Sequence, residues 1–219
     1  MAPCSDLIGN LNMTEALVYL VDDDPSVLKS LVFLCESSGL RSMAFSSGKS
    51  FLEHAESHPN LAGCIVTDFR MPDISGIELF EQLRKTLRCF LPVIMVTAHG
   101  DVPMCSTAIR SGIFDFLAKP YPEDLLITRV GAALKADERR QSLLRRVAKL
   151  TDREKEIMEL LRAGRSMKEI AVDSGTSIQT ISKHRQRLLD KLEVRNDVEL
   201  ARLLDTSGWS EMGKAAPTL

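Results

Sequence analysis

Leu17-Val18-Tyr19-Leu20-Val21 runs straight into Asp22-Asp23-Asp24. Three other stretches share that design. Cys64-Ile65-Val66-Thr67 stops at Asp68, Val93-Ile94-Met95-Val96 stops at Thr97, and Phe114-Asp115-Phe116-Leu117-Ala118 stops at Lys119-Pro120. Short apolar runs separated by helix-like segments read as strands buried on both faces, the mark of a parallel sheet. In such a sheet the carboxyl ends of the strands line one edge, and ligands bind there. Acids far apart in sequence, a hydroxyl and an ammonium are therefore expected in one crevice. That set suits an aspartate that binds Mg²⁺ and accepts a phosphoryl group.

Outward from these runs, strands are expected over 17–21, 41–45, 63–67, 92–96 and 114–118. Helices are expected near 25–38, 48–57, 76–87, 103–111 and 122–136. Pro25 sits where a first-turn proline belongs, and Gly39 and Gly112 fall just past helix ends. Strict alternation implies right-handed crossovers and helices on both sheet faces. From 151 the strand signal disappears. Thr151 and Glu154 form a capping-box pair, Ser166 and Ser177 precede two further helical runs, and Val198, Leu200, Leu203 and Leu204 mark a last one over about 196–205. Between the two patterns, Leu143, Leu144, Val147 and Leu150 recur at helical spacing inside a highly charged stretch. This reads as a helical linker that continues the preceding helix, or as a solvated tether. The expected division is an extension over 1–14, an α/β domain over 15–136, a linker over 137–148, a small all-α domain over 149–208 and a tail over 209–219.

Bulk properties narrow the function classes. The chain has 219 residues and is 44% hydrophobic, with a mean hydropathy of −0.03, as in ordinary globular proteins. No apolar run approaches membrane-spanning length and the N-terminus lacks a signal-peptide pattern, so a cytoplasmic location without membrane association is expected. The five cysteines, Cys4, Cys35, Cys64, Cys89 and Cys105, are odd in number and form no CxxC, which disfavours a disulfide framework or a zinc site. Charge is divided: residues 1–137 carry 11 Lys and Arg against 17 Asp and Glu, whereas residues 138–219 carry 17 against 13. The basic second half points to a polyanionic partner.

Each residue in the expected crevice has a physical role. Adjacent carboxylates at Asp22 and Asp23 repel, and a hard divalent cation relieves that repulsion while keeping positions for water and phosphate. Asp68 can then act as a carboxylate nucleophile. Lys119 supplies positive charge and Thr97 a hydroxyl hydrogen bond to the equatorial oxygens. Singly, each of these is as readily a turn acid, a helix cap or a surface lysine. Their order at four successive strand tips is what gives them meaning.

The segments VYLVDDDPSV, GCIVTDFRMPDISGIEL, PVIMVTAHGD and FDFLAKPY closely resemble the receiver domain of two-component response regulators. The resemblance covers residues 17–136. It implies a doubly wound five-stranded parallel sheet of order 2-1-3-4-5 and places the phosphoacceptor at Asp68. It makes Asp23 the main Mg²⁺ ligand, assisted by Asp22, with Asp68 and the Arg70 backbone carbonyl completing the protein ligands. It also assigns a conformational switch to Thr97 and Phe116, where Phe116 stands in place of a frequent tyrosine. Arg70 and His99, two residues beyond Asp68 and Thr97, are placed to tune phosphoryl lifetime.

The basic half carries a second candidate site. The run from Ile178 includes Lys183, Arg185, Arg187 and Lys191, with His184 among them, after a short helix and a Gly-containing turn. Such a pair is either a helix-turn-helix or an amphipathic helix with a solvated basic face. Ser177, Gln179 and Thr180 sit where first-turn N–H groups favour anions. The segments LTDREKEIMELLRAGRSMKEIA, TSIQTISKHRQRLLDKLEVRN and VELARLL resemble the LuxR/FixJ-type DNA-binding domain. Carried over by position, Ser182, Lys183 and Gln186 face base edges, and Thr180, Arg185 and Arg187 face the backbone. Ser174 and Thr176 depart from the usual apolar residues.

Together the two resemblances imply a transcriptional response regulator of the NarL/FixJ class. A sensor histidine kinase would phosphorylate Asp68 with Mg²⁺. The phosphorylated form would become a homodimer and bind a double-stranded DNA operator, with RNA polymerase as a further partner. The receiver's phosphotransfer is chemistry on itself, so the chain is not expected to be an enzyme. Two rivals remain. A phosphohydrolase of the haloacid-dehalogenase type also needs Asp, Mg²⁺, Thr and Lys, but its nucleophile follows the first strand. A regulator that ignores phosphate would not need the intact acid, hydroxyl and lysine set.

Overall fold

A computed structural model describes residues 16–97, 112–207 and 209. The expected extension over 1–14, the helix over 103–111, His99 and the chain after Trp209 lie outside the described residues. The chain divides into two compact units, residues 1–138 and 139–219.

The first unit runs β1 (Leu17–Val21), α1 (Pro25–Ser37), β2 (Ser42–Phe45), α2 (Gly48–Ser57), β3 (Gly63–Asp68), α3 (Gly76–Lys85), β4 (Val93–Thr97) and β5 (Asp115–Ala118), followed by α4 (Glu123–Val147). All five strands are parallel and lie in the order β2-β1-β3-β4-β5. Strand alternation splits the core into two layers. Val18, Leu20, Cys64, Val66, Ile94 and Val96 pack with α1 and the first half of α4. Tyr19, Val21, Ile65, Val93 and Met95 pack with α2 and α3. This is the doubly wound arrangement expected of buried parallel strands. The two edge strands are less covered: β2 is half-buried or exposed throughout, and β5 buries only Leu117.

Local chemistry fixes the element starts at the strand tips. Asp24 caps α1, its Oδ1 accepting from the Ser26 N–H at 2.7 Å, and Pro25 occupies the first turn. Ser75 and Glu78 form a reciprocal capping box at α3. Two glycines permit close approaches. A Cβ on Gly76 would lie 2.6 Å from the Asp68 carbonyl oxygen, and one on Gly63, at φ 130°, would lie 1.8 Å from the Leu17 carbonyl oxygen. These contacts seat α3 beside the tip of β3 and lock the start of β3 against β1.

In the second unit, α5 (Asp152–Arg162), α6 (Met167–Asp173), α7 (Ile178–Leu192) and α8 (Asp197–Thr206) surround Ile157, Met158, Ile170, Ile181, Leu188, Leu192 and Leu204. Capping boxes start α5 and α6, and Ser177 and Asn196 cap α7 and α8. Gly175 turns the chain at φ 60° between α6 and α7. Ser174 donates its hydroxyl back to the Ile170 carbonyl, and Ile170 and Ile181 are fully buried. The charged stretch before this unit is not a bare tether: it is helical to Val147, and Leu143, Val147 and Leu150 belong to the second core. Trp209, placed by sequence at the start of a tail, packs against the same core and donates its indole N–H to Glu159 Oε1 at 2.6 Å. Among the described residues no helix is long and apolar enough to cross a membrane.

Gly63→Ala combines a disfavoured backbone conformation with a main-chain collision. It is expected to destabilise the chain by more than about 3 kcal/mol, at the severe end for point mutants. Urea unfolding followed by circular dichroism measures this, and a loss below about 1 kcal/mol, the ordinary centre for substitutions, contradicts the geometry.

Candidate functional site

The register of the sheet brings the expected groups together. β1 pairs Val21 with Thr67, so Asp22 and Asp68 follow at adjacent tips. β4 pairs Thr97 with Ala118, so Lys119 follows next to the threonine, and the Lys119 N–H donates to the Thr97 carbonyl at 2.7 Å. Across this edge the Lys119 ammonium sits 2.7 Å from Asp68 Oδ1 and 3.5 Å from Asp22 Oδ2. The other Asp68 oxygen accepts from the Arg70 backbone N–H at 2.6 Å.

Each group is tuned by its surroundings. Asp22 is only 4% exposed. Burial pushes its carboxyl above the ordinary value, against the hydrogen bond from the Asp24 N–H and the charge of Lys119. Burial also works against the Lys119 ammonium, but the Asp68 hydrogen bond and the charges of Asp68 and Asp22 outweigh it and hold the lysine above its ordinary value. Lys119 is therefore a fixed positive charge at neutral pH. Thr97 is buried at the end of β4. Phe116 lies half-buried on β5, its ring 6.1 Å from that of Phe69. Asp23 is exposed beside the cap of α1, and the side chain of Arg70 is exposed. The three consecutive aspartates thus differ: one is buried toward the lysine, one is exposed, and one caps a helix.

The oxygens here suit a hard cation. Mg²⁺ is held by one or two carboxylates and fills its other positions with water, carbonyl and phosphate oxygens. Buried Asp22, with the Asp68 carboxylate sharing the same ammonium, is such a donor set. Among the described residues no group of three or more His, Cys, Asp or Glu is gathered so as to hold a metal ion; exposed Asp23 does not join Asp22 and Asp68 in such a group.

On α7, Gln179, Thr180, Ser182, Lys183, Gln186 and Arg187 are exposed, while His184 and Arg185 are half-buried. Ile181, Leu188, Leu189 and Leu192 form the opposite, buried face. The exposed polar side chains are not all equally available. Arg185 Nε donates to both carboxylate oxygens of Asp197 at 2.9 and 3.2 Å. Gln186 donates to Asp190 Oδ1 at 2.8 Å, and the Thr180 and Ser177 hydroxyls are 2.9 Å apart. Lys191 pairs with the buried Glu154 at 2.6 Å. Lys183 and Arg187 make no ion pair among the described residues. Sequence reading missed Asp197 and Glu154 as partners of this helix. Glu154 was visible only as a cap.

Two family models match the chain. Residues 18–131 match the response regulator receiver domain, and residues 148–204 match the bacterial regulatory proteins of the luxR family. The transcriptional regulatory protein FixJ of Azorhizobium caulinodans is 37% identical over 94% of this chain and 100% of its own length. The response regulator protein TodT of Pseudomonas putida is 32% identical over 93% of this chain and 91% of its own. Among solved structures, the response regulator StyR is 37% identical over 88% of this chain and 99% of its own, with a TM-score of 0.55. Full-length FixJ from B. japonicum is 35% identical over 90% and 98%, with a TM-score of 0.51.

The Lys191–Glu154 pair carries a pH signature. Burial alone would raise Glu154, but hydrogen bonds from Lys191 and from the Thr151 N–H and hydroxyl outweigh it and hold the carboxyl below its ordinary 4.5. The folded unit thus binds fewer protons than the unfolded one, so this stabilisation is present above 4.5 and is lost as pH falls through the lower folded value. Lys191→Ala leaves a buried carboxylate without its cation and is expected to cost about 1–3 kcal/mol at pH 7. The fluorescence of Trp209, the single tryptophan, reports unfolding of this unit in urea. An unchanged midpoint at pH 7 contradicts the pair's role.

Proposed function

The chain belongs to the response regulators, joining a receiver domain to a LuxR-type DNA-binding domain, and from that premise we propose how its residues work. It is a regulator of transcription rather than an enzyme acting on an external substrate. The phosphohydrolase alternative also fails on position, because Asp68 ends β3 and does not follow β1.

In this reading Asp68 accepts a phosphoryl group from the phosphohistidine of a sensor kinase. A bond forms between an Asp68 carboxylate oxygen and phosphorus as the phosphorus–nitrogen bond breaks, and the imidazole departs with that electron pair. The observation that carries the assignment is the Lys119 ammonium set between Asp68 and Asp22 at 2.7 and 3.5 Å. It orients the nucleophile in the resting state and can follow the negative charge onto the phosphoryl oxygens. Asp22, Asp23, Asp68 and the Arg70 carbonyl would hold Mg²⁺, which supplies further neutralisation of those oxygens when bound.

The new group brings a charge of about −1.5 to −2. The Thr97 hydroxyl turns toward it, and Phe116 repacks into the space that this movement opens. The surface that includes β5 and the start of α4 then favours a homodimer, a shift between two populations of the receiver. Dimerisation presents two copies of α7 to paired half-sites of an operator. There Ser182, Lys183 and Gln186 reach base edges, while Gln179, Thr180, His184 and Arg187 lie against the backbone. Arg185 is held by Asp197 and serves first to brace α7. The DNA-bound form would work with RNA polymerase in the cytoplasm.

Asp68→Asn is expected to abolish the gain in DNA affinity that acetyl phosphate and magnesium give the unmodified chain. Fluorescence anisotropy on a duplex selected from random-sequence DNA measures it, and an undiminished gain contradicts the assignment. Lys183→Ala is expected to weaken binding to the same duplex by about 1–3 kcal/mol, as for a base contact. Equal affinity of variant and parent contradicts the placement of α7 in the groove.

A further inference from the structure

β3 carries different chemistry at its two ends. Its carboxyl tip is Asp68. At its amino end the Gly63 N–H donates to Asp137 Oδ2 at 2.8 Å, joining residues 74 apart in sequence. Asp137 is 3% exposed. A carboxylate is seldom buried so deeply unless polar partners receive it, so its place is a specific one. The strand end that it holds is itself fixed. Gly63 adopts φ 130° with the Leu17 carbonyl where a Cβ would stand. The Tyr19 hydroxyl on β1 lies 3.5 Å from the carbonyl of the neighbouring Ala62.

Asp137 is also the point where α4 changes role. One turn earlier, Ala133 and Leu134 are buried in the core of the first unit. The same helix runs on to Val147, and its Leu143 and Val147 belong to the core of the second unit. Apolar packing alone fixes a helix face loosely along its axis. A hydrogen bond to one main-chain N–H is directional and short-ranged, and so sets the helix's axial position and rotation against β3.

We propose that Asp137 is a positioning residue for the phosphorylation response: through Gly63 it ties α4 to the strand that bears the phosphoacceptor, so that the stretch of α4 entering the DNA-binding unit follows the state of the receiver. The proposal rests on Asp68 being phosphorylated and on that event raising DNA affinity. Asp137 takes no part in the transfer itself, being at the opposite end of β3.

The test uses the full chain with acetyl phosphate and magnesium, the duplex selected above, and the variants Asp137→Leu, Asp137→Ala and Asp137→Asn. Three quantities are read: the acid-stable, base-labile phosphoryl adduct by intact mass, Trp209 fluorescence for the fold of the second unit, and the ratio of DNA affinities with and without phosphorylation. The unmodified chain should show a gain of about 5–150-fold, the usual range for coupled sites. Asp137→Leu or Asp137→Ala, whichever folds as the parent does, should form the adduct to the parent's extent and show no gain. Asp137→Asn, whose amide oxygen can still accept from Gly63, should keep the gain. A truncated variant that folds, is phosphorylated and gains as the parent does overturns the proposal and leaves Asp137 a stabilising residue only. Loss of the gain in Asp137→Asn with fold and adduct intact overturns the hydrogen-bond account. A parent chain that forms the adduct without any gain fails the phosphorylation reading itself, and this proposal with it.

Discussion

Two carboxylates, Asp22 and Asp68, share one ammonium, Lys119, at the carboxyl edge of a parallel sheet. The geometry of the first unit follows from the need to hold these three groups together. They come from the end of β3 and from the loops after β1 and β5, and a sheet whose strands all run one way puts those tips on a common edge. The middle strands must then be apolar on both faces, which requires helices on both sides. The lysine has a definite position because its own N–H is tied to the Thr97 carbonyl on the neighbouring strand. A phosphoryl group on Asp68 would compete for the same ammonium, so a local exchange of partners is built into the resting arrangement.

The second unit separates holding from reading. α7 is fixed on its buried side by Ile181, Leu188, Leu189 and Leu192. It is fixed laterally by two ion pairs, Lys191 with Glu154 and Arg185 with Asp197. Breaking the Lys191–Glu154 pair would leave a buried charge, whereas the more open Arg185–Asp197 pair adds less stability. Lys183 and Arg187 remain outward and make no ion pair among the described residues. A basic helix that spends two cations on its own support and keeps others outward can bind a polyanion without being reshaped by it.

Most of the fold was legible because buried parallel strands write themselves as unbroken apolar runs. β1, β3 and β4 were plain for that reason, and β2 was faint because an edge strand needs little burial. Asp22, Asp68, Thr97 and Lys119 were legible as the first polar groups after such runs. What sequence hid has one physical origin: partners far apart in the chain. Asp137 looks like any acid near the end of a charged helix until Gly63 is seen beside it. Arg185 looks like a DNA contact until Asp197, on the next helix, is found to hold it. The packing of Leu143 and Val147 was masked by the Arg and Lys residues around them, since spacing shows an apolar stripe but not what covers it. Trp209 belongs to no periodic pattern, and only Glu159 and the second core give it a place.

We propose that the Asp22–Lys119–Asp68 edge receives a phosphoryl group on the Asp68 carboxylate alone. The most direct test is intact mass spectrometry of the folded chain after incubation with acetyl phosphate and magnesium, followed by borohydride reduction and peptide mapping. The account predicts a single phosphoryl adduct, stable in acid and lost in base, with reduction found at Asp68 alone. A folded chain that gains no such adduct, or gains it at another residue, contradicts the account.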